Sequence, residues 1–405
     1  MKIETIRWVD RNPGRIICFL LTVWRTLFKP FFGRPKKPVQ KILFIKFIEQ
    51  GATVIAYSAI KKAVDKVGRE NVYFCVFSQN RPILDLINLL PKENVIEIND
   101  SSLGAFFKGA ITAIFKIKRL KIDAAVDMEF FSRASAIFGY LSGAKRRVGL
   151  HRFTSEYSYR GRLLTHEVQH NAYLHASVAY LLLVEKLFVD ASTIPAPKVE
   201  VKNLPTQVPV YSPDEAKVSA FKQKLQAELG GQMPEKLILL NPNTSDMLPL
   251  RQWETEKFVE LAKRIIEAFP NAQMALTGAP NEAPKLQGIA QQFSANKVVS
   301  LASKTTLEEL LILYQLSDLL VTNDSGPAHF ASMCDIDVLV LFGPETPQLF
   351  GPLGERIHVV WKALSCSPCI NAINHRFSPC TDNQCMKQIT VDEVYGRVKI
   401  IMDSQ

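Results

Sequence analysis

Asn323-Asp324-Ser325-Gly326-Pro327-Ala328-His329 gathers a carboxylate, a hydroxyl, a glycine and an imidazole in one short stretch. It follows an apolar run, Leu319 to Thr322, that reads as a buried strand, and Pro327 suits a first helical position. The backbone N–H groups of Ser325 and Gly326 would then face an anion at a helix start, a way of holding phosphate oxygens without a metal. The next apolar run, Val338 to Phe342, ends in Gly343-Pro344-Glu345-Thr346, a second turn at the same edge. Two such turns on adjacent strands fit a diphosphate.

Three other constellations suggest different chemistry. His166-Glu167-Val168-Gln169-His170 has the HExxH spacing that on a helix binds zinc in metalloproteases, but a third ligand is wanting, since His175 lies too close. A zinc protease is therefore the remote alternative. Asp335-Ile336-Asp337 imitates a DxD metal motif, yet it falls between a helix and a strand on the edge away from the phosphate turns and reads as a loop. Cys366, Cys369, Cys380 and Cys385 have spacing compatible with a structural zinc knuckle, while Cys18, Cys75 and Cys334 sit in apolar surroundings like core residues.

The elements that must position these groups are short apolar runs alternating with amphipathic stretches. Ile42–Phe47, Val72–Phe77, Val95–Ile98 and Ala124–Val126 read as strands of a first series. Leu237–Leu240, Met274–Thr277, Val298–Ser300, Leu319–Thr322 and Val338–Phe342 form a second. Helices are expected at 54–67, 106–120, 175–187, 256–269 and 307–316, the last with a capping box from Thr306 and Glu309. Such alternation predicts an α/β fold with parallel sheets, and 405 residues exceed one core. The expected divisions are a leader at 1–40, an N-terminal domain at 41–191, a proline- and valine-rich linker at 192–232 and a C-terminal domain at 233–405. Two doubly wound domains facing a cleft would bind ligands beyond the carboxyl ends of their strands.

The net charge is +10, and the leader accounts for most of it. Lys2, Arg7, Arg11, Arg15, Arg25, Lys29, Arg34, Lys36 and Lys37 stand there against Glu4 and Asp10 only, among Trp8, Phe19, Trp24, Phe28, Phe31 and Phe32. Basic and aromatic residues so mixed suit a helix in the lipid headgroup plane, the alternative being a helix packed on the folded body. Pro35 to Pro38 reads as a linker. The longest apolar stretch, Ile16 to Trp24, is too short to span a bilayer. No nucleic-acid-binding fold is legible, so a nucleic-acid partner is not expected.

The NDSGPAH and LFGPETP segments, with NPNTSDMLPLRQW at 241–253, LTGAPNE at 276–282 and GAKRRVGL at 143–150, resemble glycosyltransferase family 9, the heptosyltransferases of lipopolysaccharide core assembly. The resemblance implies a GT-B fold of two Rossmann-like domains and inverting transfer from a nucleotide-diphosphate sugar, ADP-heptose first, with no cofactor required. It implies donor contacts from Asp324, Ser325, Gly326, His329, Arg251, Glu282 and Thr244. The acceptor would be a lipopolysaccharide or other lipid-linked or envelope glycan, bound through Arg146, Arg147 and Arg152 in the run that also holds Lys145, Arg160 and Arg162. The protein would then be cytoplasmic and peripheral on the inner membrane.

One position departs from the family. Where it carries a Gly-Asp pair whose aspartate is the base, this chain has Gly51-Ala52. Alanine accepts no proton. Glu49 and Glu129 are the candidate replacements, Asp127 a third, and a non-catalytic nucleotide-sugar-binding protein that has lost its base is the alternative function.

Overall fold

In a computed structural model the described residues are 3–28, 38–153, 155–245, 248–294, 296–371, 373 and 376–405. Residues 29–37, with Lys29, Phe31, Phe32, Arg34, Pro35, Lys36 and Lys37, lie outside them, as do Lys2, Asp246 and Met247. The chain divides into two compact units, residues 1–207 with 372–375, and the remainder.

The first unit holds strands β1 (Ile42–Ile45), β2 (Val72–Phe77), β3 (Val95–Ile98), β4 (Ala124–Asp127), β5 (Arg146–His151) and β6 (His166–Gln169). Its helices are α1 (Ile3–Arg11), α2 (Pro13–Leu27), α3 (Gln50–Ile55), α4 (Tyr57–Val67), α5 (Arg81–Ile87), α6 (Leu103–Leu120), α7 (Arg133–Leu141) and α8 (Ala176–Lys186). The strands pair in parallel in the order β3-β2-β1-β4-β5-β6. Central strands β1, β2 and β4 are buried along their whole length, as expected of a parallel sheet covered on both faces.

The second unit repeats the plan. Strands β7 (Lys236–Asn241), β8 (Ala272–Leu276), β9 (Val298–Ser300), β10 (Leu319–Asn323), β11 (Asp337–Phe342) and β12 (Ile357–Trp361) lie in the order β12-β11-β10-β7-β8-β9. Helices α9 (Glu215–Glu228), α10 (Thr255–Ala268), α11 (Ala283–Ala290), α12 (Leu307–Gln315), α13 (Gly326–Ala331), α14 (Pro347–Phe350), α15 (Gln384–Lys387) and α16 (Val391–Asp403) accompany it. α10 shows the driving force: Phe258, Leu261, Ala262 and Ile265 recur on one face and are buried, the larger ones contributing about 1.5–3 kcal/mol each. The capping box of α12 forms, with Thr306 Oγ1 accepting from Glu309 N at 3.1 Å and Thr306 N donating to Glu309 Oε2 at 2.8 Å.

The division at 207/208 falls inside the stretch expected as a linker, and the second half of that stretch is structured. α9 joins the second unit through Lys217–Glu308 and Lys224–Glu309 pairs at 2.7 and 2.8 Å. The described part of the leader packs on the first unit. Asp10 Oδ1 accepts from Ser132 Oγ (3.1 Å) and from the Arg133 and Ala134 N–H groups (2.8 and 2.9 Å), so a carboxylate of α1 satisfies the open amide groups at the start of α7. Cys18 is fully buried beside Ala136 and Leu163, and Arg25 donates to Leu164 O at 2.8 Å. Gly161, at φ 60°, lets the chain pass this hairpin: a Cβ there would strike Thr22 Oγ1 and come within 2.9 Å of Cys18 O.

Candidate active site

In the second unit the site is built at the carboxyl ends of β7, β10 and β11. Asn323, the last residue of β10 and fully buried, donates through Nδ2 to Asn243 O (3.3 Å) and accepts at Oδ1 from Trp253 N (3.0 Å). One amide thus pins both ends of the loop that carries Thr244 and Arg251. Trp253 is held further by its indole N–H on Ile389 O at 2.9 Å. Arg251 is thereby set against the β10 turn: Nη1 donates to Asp324 O at 3.3 Å, Nε lies 3.2 Å from Asp324 Oδ2, and Nη2 lies 3.8 Å from Glu345 Oε2.

Asp324 and Glu345 are both buried, and in each the oxygen nearest Arg251, Oδ2 and Oε2, is buried without a hydrogen bond. Burial raises the Asp324 carboxyl above its ordinary range, opposed by Arg251. Glu345 is pushed up to about 8, by burial first, with Arg251 opposing and Asp324 adding to the rise. Two carboxyls therefore share one guanidinium, and near neutrality the cluster offers both donors and acceptors. Ser325 is extended, its Oγ bonded to Asn323 O at 3.2 Å, and His329 is buried on α13. Glu282 Oε2 accepts from Ala279 N at 2.6 Å, fixing the turn after β8. A Cβ at Gly278 would come within 2.9 Å of both Glu282 Oε2 and Asn243 Nδ2, so glycine lets these two loops close up.

In the first unit Lys46, just past β1 and 1 % exposed, holds both candidate bases. Its Nζ lies 2.9 Å from Glu129 Oε2 and 3.1 Å from Glu49 Oε2. Glu129 Oε1 also accepts from Phe47 N (2.7 Å) and Ile48 N (3.3 Å), so this carboxylate ties the β4 turn to the β1 turn. Glu49 enters α3 from a left-handed backbone at φ 75° and its side chain is 18 % exposed, against 10 % for Glu129. Asp127 Oδ1 accepts from Glu129 N at 3.0 Å rather than capping α7, whose cap is Ser132. Its carboxyl is pushed up to about 7 by burial, which Arg160, 3.8 Å away, opposes. His151, at the end of β5, shares a 2.5 Å hydrogen bond with Tyr157.

Several expectations are corrected. Arg146 and Arg147 begin β5 and so lie at the amino edge, opposite the ligand edge. Arg147 is buried and spends its guanidinium on Leu163 O and Ala144 O (2.6 and 2.5 Å), and Arg146 donates to Leu187 O at 3.4 Å. Only Arg152 of the three follows a carboxyl end, donating to Glu156 O at 3.2 Å. The first four HExxH residues form β6, not a helix, and His170 follows its end; in extended backbone two histidines four residues apart stand about 13 Å apart, so they cannot share an ion. The DxD aspartates are engaged with Arg356, Asp335 from the loop at 2.5 Å and Asp337 from the first position of β11 at 2.6 Å.

The four cysteines of the expected knuckle differ in their surroundings. Cys385 is part of the apolar core, its thiol pushed up to about 11 by burial and then by the other three thiols, whereas Cys366 is exposed. Among the described residues no three His, Cys, Asp or Glu are placed to hold a metal ion.

With this geometry in hand, the family pattern of glycosyltransferase family 9 (heptosyltransferase) is found to match residues 114–376. The chain belongs to glycosyltransferase family 9. It is similar to lipooligosaccharide heptosyltransferase 2 of Campylobacter jejuni subsp. jejuni serotype O:6, 27% identical over 183 residues, 44% of this chain and 55% of that one. The chain thus spans about half the length of the curated relatives it matches. The E. coli ADP-heptose LPS heptosyltransferase II structure superposes with TM-score 0.67 at 18% identity, covering 90% of this chain and 99% of that one. A family 9 glycosyltransferase from Veillonella parvula gives 0.70 at 14% identity, with 92% and 100% covered. The fold is GT-B, two Rossmann-like α/β units in one chain.

Within this family 9 chain, sequence reasoning overlooked Glu345, Asn323 and Lys46. Glu345 was visible in the second turn; the other two carried no signal, since an asparagine ending a strand and a lysine after one are commonplace.

Proposed function

We propose that the chain is an inverting glycosyltransferase that moves a sugar from a nucleotide-diphosphate donor to a lipid-linked or envelope glycan such as lipopolysaccharide. Heptose carried on ADP is the donor of choice, because the E. coli relative bears ADP-heptose in its name. The observation that carries the reading is the Arg251–Asp324–Glu345 cluster at adjacent strand ends. An acceptor oxygen attacks the anomeric carbon as the bond to the diphosphate oxygen breaks, and the acceptor proton passes to a carboxylate. Arg251 meets the charge that develops on the leaving diphosphate, so the step requires no metal. Asp324 and Glu345 take the donor's hydroxyls, Ser325, Gly326, His329 and Thr244 line its place, and Glu282 serves the ribose.

Glu49 is the base of this proposal and Glu129 its positioner. Two carboxylates share the single ammonium of Lys46, and Glu49 is the more exposed of the pair. Arg152 serves an acidic acceptor, and the protein works on the cytoplasmic side at the inner-membrane surface. Purified protein is incubated with ADP-heptose and membrane glycolipid, and ADP release is followed. Glu49→Gln is expected to lower kcat by about a hundredfold or more with KM for the donor little changed. Full activity in Glu49→Gln removes Glu49 from the mechanism. Ala52 at the family's base position favours a second reading, a nucleotide-sugar-binding protein without turnover. Donor binding with no ADP release for any acceptor would establish it.

A further inference from the structure

The leader's hairpin is not the sole apolar surface on the first unit. α6 shows Leu103, Phe107, Ile111 and Phe115 at intervals of four residues, and all four are 42–60% exposed. Residues at this spacing form one stripe along a helix. The opposing duty is already met, since Ala113 and Ile117 are buried in the core and Phe106, Ala110 and Ile114 pack against it. Phe107 meets the ring of Phe106 on the same helix at 5.4 Å, but the stripe stays exposed, and helix propensity alone does not call for phenylalanines in water.

Its direction can be read from the fold. The connections β3→β4 and β4→β5 both step the same way along the sheet, so right-handed crossovers put α6 and α7 on one face. α2 packs on α7 from outside. Lys118 continues the α6 stripe three residues after Phe115, and its Cγ lies 3.9 Å from where a Cβ of Gly143 would stand, just beyond the end of α7. The α6 stripe thus turns toward the helix that carries α2. On α2 itself Ile16, Phe19, Leu20, Trp24 and Leu27 are 54–69% exposed, and Trp8 of α1 is 61% exposed.

The charges carried by the two helices themselves have one sign. Neither α2 nor α6 contains an Asp or Glu. Arg11 and Arg15 are exposed beside the hairpin stripe, and Lys108, Lys116, Lys118, Arg119 and Lys121 beside or just beyond the α6 stripe. Apolar side chains ringed by cations match the boundary of an anionic bilayer, where the rings enter the acyl region and the cations meet lipid phosphates. A protein partner with an apolar face would not call for this one-signed rim.

We infer that α2 and α6 form a two-legged docking surface for an anionic membrane, seating the first unit by one face. The inference deepens the membrane part of the proposed function. Its test needs neither donor nor acceptor, so its failure leaves the transfer reading standing.

Full-length protein is sedimented with vesicles of phosphatidylcholine alone and of phosphatidylcholine mixed equally with phosphatidylglycerol. Binding is expected to the mixed vesicles only and to weaken with salt. Phe107→Ser with Phe115→Ser, and separately Leu20→Ser with Trp24→Ser, should each weaken it about tenfold or more, with circular dichroism unchanged because the altered side chains are exposed. Undiminished binding by the α6 variant overturns the second leg. Equal binding to both vesicle types overturns the anionic partner. Self-association in analytical ultracentrifugation that both double variants abolish, without vesicle binding, makes the surface a contact between copies and rejects the inference.

Discussion

Glu345 is the residue whose chemistry is most exposed to measurement. In the unfolded chain a glutamate loses its proton near 4.5, while in the fold burial holds it to about 8. Between those values the folded state binds the extra proton, so stability falls as pH rises and the loss is complete above about 8. Glu345→Gln has no such proton to lose. Its melting temperature should therefore decline less from acid to mildly alkaline pH than that of the parent, by several degrees for a contribution on the order of a few kcal/mol. Parallel pH profiles for the two proteins would show that Glu345 ionises normally. Asp127, pushed up to about 7, adds a slope of the same sign in the first unit, so the comparison must be made against the parent and not against a flat line.

At the scale of elements, the hairpin is tied to the body by a small number of polar contacts, and Asp10 makes most of them. Asp10→Ala withdraws the acceptor for Arg133 N, Ala134 N and Ser132 Oγ while Ser132 still caps α7 through Ser135 N. A loss of about 1–2 kcal/mol is expected, as for other helix caps, concentrated where the hairpin meets α7. Hydrogen exchange should quicken in α2 and the first turn of α7 and stay unchanged in the second unit; unaltered protection in α2 would mean that Cys18 and Arg25 hold the hairpin without it. The strands that the sequence disclosed were those buried on both faces, such as Val72–Phe77, where an unbroken apolar run has no other reading. β5 and β6 lie toward the sheet edge and begin with Arg146-Arg147 and His166-Glu167, so charged and polar residues break the apolar run. That loss of pattern also made a strand look like a zinc helix. The turns after β10 and β11 were legible because glycine, proline and small polar residues cluster there. The contacts among Arg251, Asp324 and Glu345 were not, since only the parallel sheet brings those loops together.

For the whole molecule, the two units give the proposed chemistry two addresses. All the assigned donor groups, Arg251, Asp324, Glu345, Glu282 and the 325–329 segment, belong to the second unit, whose core is separate from that of the first. A ligand stabilises the unit that binds it by RT ln(1 + [L]/Kd), about 2.7 kcal/mol at a hundredfold excess over Kd. Calorimetry of the full chain with ADP should therefore raise the transition in which the second unit melts, identified by hydrogen exchange of β10 and β11, and leave that of β1 and β4 in place. Arg251→Ala should abolish most of the rise, because a diphosphate loses its guanidinium partner, whereas Glu49→Gln should leave it intact. Stabilisation that appears in β1 and β4 alone would place the nucleotide in the first unit and reverse the division of labour. Stabilisation that survives Arg251→Ala in full would remove Arg251 from the diphosphate, and with it the positive charge on which metal-free departure of the leaving group depends.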